Sequence, residues 1–258
     1  MLIAGGGVTG CSTAYWLASR PDFGGTIAVV ERDPTYTNAP SAKASGGIRQ
    51  QFSTPENVQI GLFGAQFVKS IEARLAVDGE STGVLFREQG YLLLATPEAL
   101  PLMRQAHEVQ QANGADIVFK DPVTLGQEFP WINAIELAGA FFGQSNEGWV
   151  DPYSLLQAYR RKARSLGVTF IKDDVAGIEY DGHKATGVRL REGGLVGAGA
   201  VVNAAGASGA LELARGVGME LPLSSRLRTT FVFECKENIA HAQLTVLPNG
   251  CAWRPEGS

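Results

Sequence analysis

The sequence predicts an α/β protein: a discontinuous parallel βαβ domain with a second, α+β domain on a mostly antiparallel sheet inserted into it. Three observations predict this. The first thirty residues alternate strand, glycine turn, helix and strand. Strand and helix patterns of the same kind return after about residue 148, and the stretch between, about 80–147, differs in character. At 258 residues the chain has room for one large or two modest domains.

Leu2-Ile3-Ala4 is a short apolar run cut off by Gly5-Gly6-Gly7. Val8 to Ser19 then carries Val8, Cys11, Ala14, Tyr15 and Ala18 at helical spacing, up to the breaker "RPDFGG". Thr26 to Val30, "TIAVV", reads as a second buried strand ending on Glu31. Next comes "SAKASGGIRQQFSTPEN", Ser41 to Asn57, whose first part, to Arg49, follows no apolar period and reads as a loop. Glu56 to Val77 has a helical period, Tyr91 to Ala95 is a strand, and Leu100 to Asn113 is an amphipathic helix closing on Asn113-Gly114. "DPVTLGQEFPWI" reads as a short helix ended by Pro130, and "AGAFFGQSNEGWVDP" as strand, then loop. "DPYSLLQAYRRKARSLG" is a helix with Asp151 at its cap, Pro152 in its first turn, cations late and Gly167 beyond its end. "VTFIKD", "GVRLRE" and "AVVNAAG" read as three further strands. The division expected from this order is 1–79 with 148–214 for the first domain, and 80–147 with 215–258 for the second.

Composition excludes several classes. Apolar residues at 45% and charged residues at 19% are ordinary for a globular chain. The 32 glycines, with no low-complexity tract, point to tight turns and close backbone approaches rather than disorder. A net charge of -4 offers no basic surface, so no nucleic-acid partner is expected. Cys11, Cys235 and Cys251 show no metal or disulfide spacing and read as buried small apolar residues. The apolar start lacks a basic flank and is broken by glycines, and no run reaches the roughly 20 apolar residues of a membrane span. A cytoplasmic location is the default expectation.

The chemistry sits first in "GGGVTG". Gly5, Gly7 and Gly10 form G-x-G-x-x-G after a strand, at the opening of a helix and before a second strand, the context this fingerprint requires. Gly5 permits the tight turn, Gly7 the approach of a pyrophosphate and Gly10 close helix–sheet packing, with the helix N-terminus facing the phosphates. Glu31 is placed to accept hydrogen bonds from an adenosine ribose, and Arg32 to lie over the adenine. Rossmann-like dinucleotide binding follows. An acid at this place disfavours NADP and leaves NAD and FAD open.

With these residues in view, the chain resembles the FAD-dependent amine and amino-acid oxidoreductases, such as sarcosine oxidase, glycine oxidase, dimethylglycine dehydrogenase and D-amino-acid oxidase. It is most similar to the branch of FAD-dependent oxidoreductase domain proteins that assist mitochondrial complex I assembly. The likeness rests on "GGGVTG" with Glu31, "ASGGIRQQFSTPENVQIGLF", "GYLLLA", "FPWIN", "NEGWVDPYSLLQAYRRKARSLGV" and "VVNAAGA". It implies FAD as cofactor, with Ser41, Ser45, Gly46 and Gly47 beside flavin and pyrophosphate, a backbone amide at Val175 on the adenine, and Ala205 and Gly206 returning to the cofactor. It also implies a further C-terminal segment over the flavin, so the chain is expected to be a fragment with an incomplete substrate domain. No histidine precedes His107, so an N-terminal histidyl flavin link is not expected and FAD is read as non-covalent.

Oxidation of an amino acid needs a cation to hold the carboxylate, and arginine's planar fork suits that clamp. Arg49 and Arg254 are the candidates; the competing readings are a loop anchor for Arg49 and a surface ion pair for Arg254. His107, His183 and His241 form no constellation and read as exposed. The function expected is hydride transfer from a secondary amine or N-substituted amino acid to FAD, with oxygen, a quinone or an electron-transfer flavoprotein as acceptor. The alternatives are a flavin-bearing assembly or chaperone-like protein for a respiratory complex, and an NAD-linked dehydrogenase.

Overall fold

The computed structural model of the protein describes residues 1–256, the side chain of Ser208 excepted. Along the chain come β1 (Leu2–Ala4), α1 (Val8–Ala18), β2 (Ala28–Glu31), β3 (Gly47–Ile48), α2 (Pro55–Lys69), α3 (Ile71–Leu75) and β4 (Tyr91–Ala95). Then follow α4 (Leu100–Ala112), β5 (Ile117–Lys120), α5 (Pro122–Glu128), β6 (Gly139–Gly143), β7 (Gly148–Trp149) and α6 (Pro152–Ser165). The last part holds β8 (Thr169–Lys172), β9 (Val175–Tyr180), β10 (Ala185–Leu190), β11 (Leu195–Gly197), β12 (Val201–Asn203), α7 (Gly206–Arg215), β13 (Leu244–Val246) and β14 (Ala252–Trp253). These elements cluster in two compact units. Unit 1 takes Met1–Ala44, Glu72–Gly83 and Pro152–Phe231, and unit 2 takes Ser45–Ile71, Val84–Asp151 and Val232–Ser258.

Unit 1 is built on a parallel sheet of order β12-β1-β2-β8. Its central strands β1 and β2 are apolar up to Glu31 at the end of β2, as a sheet covered on both faces requires. On one face α1 packs on α6, with the Tyr15 and Tyr159 rings 5.6 Å apart. On the other, Leu2 and Val30 meet Val188 and Leu190 of an antiparallel meander, β9-β10-β11. Each such fully buried side chain contributes about 1.5–3 kcal/mol. The α/β class and the opening βαβ unit are therefore as the sequence predicts. Two strands of this unit, β9 and β11, were not expected; β9 is mostly half-buried without strict alternation, and β11 is only three residues long and mostly exposed. β2 starts at Ala28 rather than Thr26 because β1 offers it no partner earlier than Leu2, which pairs with Ala28.

Unit 2 carries a five-stranded sheet, β14-β13-β4-β6-β5, antiparallel except for the β13–β4 pair. A separate two-stranded ladder joins β3 to β7. Val58 of α2 packs with Ala95, Ile117 and Phe141 on one side of the sheet, and Leu92, Leu94, Leu125 and Phe129 form the core on the other. The predicted helix Glu56–Val77 is divided at Ser70, whose hydroxyl donates to the Gln66 and Phe67 carbonyls and so ends α2. Among the described residues no helix is long and apolar enough to cross a membrane.

Candidate functional site: a dinucleotide cradle and an arginine corner

In unit 1 the glycine turn stands at the C-terminal end of the central strand β1. Gly5 has φ 102°, a conformation only glycine adopts freely. A Cβ there would collide with the Ala204 carbonyl, and one on Gly10 with the Gly5 carbonyl. The helix must come this close to the strand, so neither position accepts a side chain. A Cβ on Gly7 would stand 3.0 Å from Ser41 Oγ. Gly7 supplies no side-chain cap to α1, and the helix has no acid in its first turn. The helix N-terminus therefore offers its partial positive charge to an anion, in a cradle where a Cβ on Gly7 would crowd Ser41.

Ser41 closes one side, its Oγ accepting from the Val8 amide at 3.1 Å. Glu31 closes another: its Oε2 accepts from Gly6 N at 2.8 Å and its Oε1 from Asp33 N at 2.9 Å. Both oxygens keep lone pairs for ribose hydroxyls. Ala205 caps α7 and Gly206 turns into it with φ 62°. A cavity of about 350 Å³ is lined here by Thr9, Asn203, Ala204, Gly206, Leu211 and Ser225, among others. A second, of about 230 Å³, is lined by Glu31, Tyr36, Arg160, Arg164, Phe170 and Lys172, among others. Gly5, Gly7, Gly10, Glu31, Ser41, Ala205 and Gly206 are accordingly brought together. Arg32 is exposed, and Val175 packs with the Leu2 and Val30 cluster.

Cys11, beneath this turn, donates its thiol to Gly6 O at 3.0 Å. Burial pushes its pKa up to about 12, so it stays a neutral thiol. Cys235 and Cys251, by contrast, are exposed, which corrects their reading as buried residues. His107 is also corrected. It is half-buried, with Nε2 2.9 Å from Ile117 O and its ring against Phe141.

Unit 2 holds the other predicted residues. Ser45, Gly46 and Gly47 lead into β3, where Gly47 pairs with Trp149 and Ile48 with Gly148, and Gly46 O accepts from Val150 N at 3.0 Å. A Cβ on Gly47 would collide with the Tyr91 hydroxyl. Arg254 donates Nε to Ser45 O at 3.0 Å and Nη1 to Pro255 O at 2.9 Å, and it pairs with Glu256 at 2.6 Å. Its guanidinium is therefore committed to holding Ser45 and the chain around Pro255.

Arg49 is different. It is half-buried, its guanidinium carbon lies 4.5 Å from the Phe52 ring centre and 6.0 Å from that of Tyr91, and it makes no ion pair among the described residues. Tyr91 is pushed above the usual phenol range by burial, against the opposing pull of Arg49 and Arg254, so it is a neutral donor. Behind them stands Glu147, completely buried. Sequence reasoning did not single out Tyr91 or Glu147; "SNEGWVDP" marks the acid only by its place before a strand. Among the described residues no group of histidine, cysteine and carboxylate side chains could hold a metal ion.

The sequence matches the family described as "FAD dependent oxidoreductase" over residues 1–256. It is 38% identical over 290 residues to FAD-dependent oxidoreductase domain-containing protein 1 of Xenopus laevis, covering 100% of this chain and 58% of that one. Sarcosine oxidase subunit beta of an Arthrobacter species is 29% identical over 248 residues, covering 93% of this chain and 58% of that one. Glycine oxidase of Bacillus cereus has a similar structure, with a TM-score of 0.65 at 27% identity over 83% of this chain and 56% of that one. L-proline dehydrogenase of P. horikoshii shares the fold, with a TM-score of 0.71 at 24% identity over 84% of this chain and 55% of that one. The chain thus spans little more than half the length of such relatives.

Proposed function

Because the chain belongs to the FAD-dependent oxidoreductase family, we propose that it carries the cofactor cradle and a substrate-binding corner of an enzyme that oxidises secondary amines or N-substituted amino acids. The family's cofactor, FAD, displaces the NAD-linked alternative. Gly5, Gly7 and Gly10 with the N-terminus of α1 would hold its pyrophosphate and Glu31 its ribose, in keeping with the cradle that a Cβ on Gly7 would crowd. Bound FAD supplies an acceptor for a hydride and its electron pair.

The substrate class rests on Arg49. A half-buried guanidinium stacked on Phe52 and Tyr91, with no ion pair among the described residues, supports a carboxylate ligand bound through its N–H fork. The neutral Tyr91 hydroxyl adds a donor in the same corner. With the carboxylate held, the carbon beside the nitrogen gives up a hydride, the nitrogen lone pair forms the C=N bond, and the N–H proton leaves. Water then hydrolyses the imine. Relatives described as sarcosine oxidase and glycine oxidase support this class.

Anaerobic titration of the yellow full-length protein with N-methyl amino acids tests the reading; bleaching is the expected result. Flavin that no amine bleaches would instead favour a binding or assembly role. Arg49→Met is expected to lower kcat/KM for carboxylate-bearing amines by about 100- to 1000-fold, mainly through KM, since charge-assisted hydrogen bonds are lost. Amines without a carboxylate should be unaffected, and Arg49→Lys should restore only part of the loss.

A further inference from the structure

A buried carboxylate is costly unless its acceptor positions are filled, so Glu147 needs an explanation. Arg49 is the charged group acting on it, yet the two form no direct ion pair among the described residues. Its oxygens go elsewhere. Oε1 accepts from Gln50 N at 2.5 Å and Gln51 N at 3.1 Å, and Oε2 from Gln51 Nε2 at 2.8 Å. The carboxylate thus binds the backbone of the two residues that follow Arg49.

The surroundings leave it little freedom. A Cβ on Gly143 would overlap Glu147 Oε2, and a Cβ on Gly61 of α2 would overlap the Arg49 carbonyl. Gln50 donates Nε2 to Ser145 O at 2.9 Å, and Gln51 Nε2 also reaches Tyr91 O at 3.1 Å. The side-chain oxygens of both glutamines are buried without a partner. Donors in this network therefore converge on the carboxylate and nearby carbonyls, while two acceptors stay empty. The three donors aimed at Glu147 call for an accepting carboxylate at that place.

We propose that Glu147 is the positioning residue of Arg49, fixing the Gln50–Gln51 backbone so that the guanidinium meets a substrate carboxylate. The proposal rests on the reading of Arg49 given above. It also makes the corner sensitive to pH. Burial raises the Glu147 carboxyl to about 7. Once protonated it becomes a donor, and the empty Gln50 and Gln51 oxygens compete to accept its proton, which loosens the backbone hold. The other charged or titratable groups facing it are Arg49, which lowers its pKa, and Tyr91 on β4, which stays neutral.

The test uses the FAD-loaded full-length protein, with acetate as carboxylate probe and the flavin absorbance change as readout. Wild-type affinity should fall several-fold between about pH 8 and about pH 6, as the carboxyl protonates. Glu147→Gln should bind acetate about 10-fold more weakly than wild type at about pH 8, with a flat pH profile and unchanged flavin content. Glu147→Asp should recover part of the affinity and the slope. Unchanged or tighter acetate binding in Glu147→Gln would overturn the proposal, because mere charge compensation predicts tighter binding. If that variant does not fold, a flat wild-type profile has the same force. Arg49→Met separates the two readings: lost acetate binding there beside an unchanged Glu147→Gln sinks only the positioning role. An equal response in Arg49→Met, or none in wild type, sinks the Arg49 assignment and the positioning role together.

Discussion

Gly10→Ala is expected to abolish FAD retention by the full-length protein, read as the loss of flavin absorbance after gel filtration. The added methyl overlaps the Gly5 carbonyl, a backbone atom that cannot swing aside. Relief requires α1 to move off β1, which withdraws the helix N-terminus from the pyrophosphate. Overpacking of this kind costs about 1–3 kcal/mol in stability even before the cofactor is counted. Gly64→Ala is the matched control. Gly64 lies within α2, and a Cβ there meets nothing within 4 Å. That change should stabilise the protein by about 0.5–1 kcal/mol through helix propensity and leave flavin content intact. Equal flavin content in the two variants would refute the role given to the glycine turn.

Glu147 makes the second large effect, on stability against pH. Its carboxyl titrates at about 7 in the folded protein against 4.5 as its ordinary value. Between those values the folded state holds a proton that the unfolded state has lost. Unfolding then releases protons, so this group's contribution is fully favourable below about 4.5 and is lost as pH rises through about 7. The upward shift corresponds to about 3 kcal/mol. Urea unfolding of wild type and Glu147→Gln across this window should show the stability difference changing by about that amount, in favour of the variant at the alkaline end. A pH-independent difference would mean that the carboxyl titrates normally.

How much of this was legible depends on the range over which each feature is determined. The cradle was readable because its glycines answer local demands, a positive φ at Gly5 and contact with backbone at Gly10. Strand β4 was readable to the residue because "YLLLA" is a continuous apolar run between turn residues. The Arg49 corner was only half readable. The arginine stands out in a loop of small residues, but Tyr91 and Glu147 reach it through the folded chain, and the Glu147 carboxylate meets Gln50 across 97 positions. No local period announces such a partner. Arg254 shows the opposite limit. Its residue type suits a clamp, while its hydrogen bonds to Ser45 and Pro255 commit it to holding backbone.

The carbonyl that presses on Gly5 belongs to Ala204, and β1 finds its parallel partner β12 only at Val201–Asn203. During synthesis at roughly 5–20 residues per second, the opening turn must therefore wait on the order of tens of seconds for one of its walls. In that interval the strand "LIA" is covered on one side by β2 alone. The nascent chain is accordingly a poor flavin binder until its second nucleotide-facing strand emerges, and it exposes an unpaired strand edge meanwhile. The pairing that completes the walls of the glycine turn is thus also the one that covers this strand edge during translation.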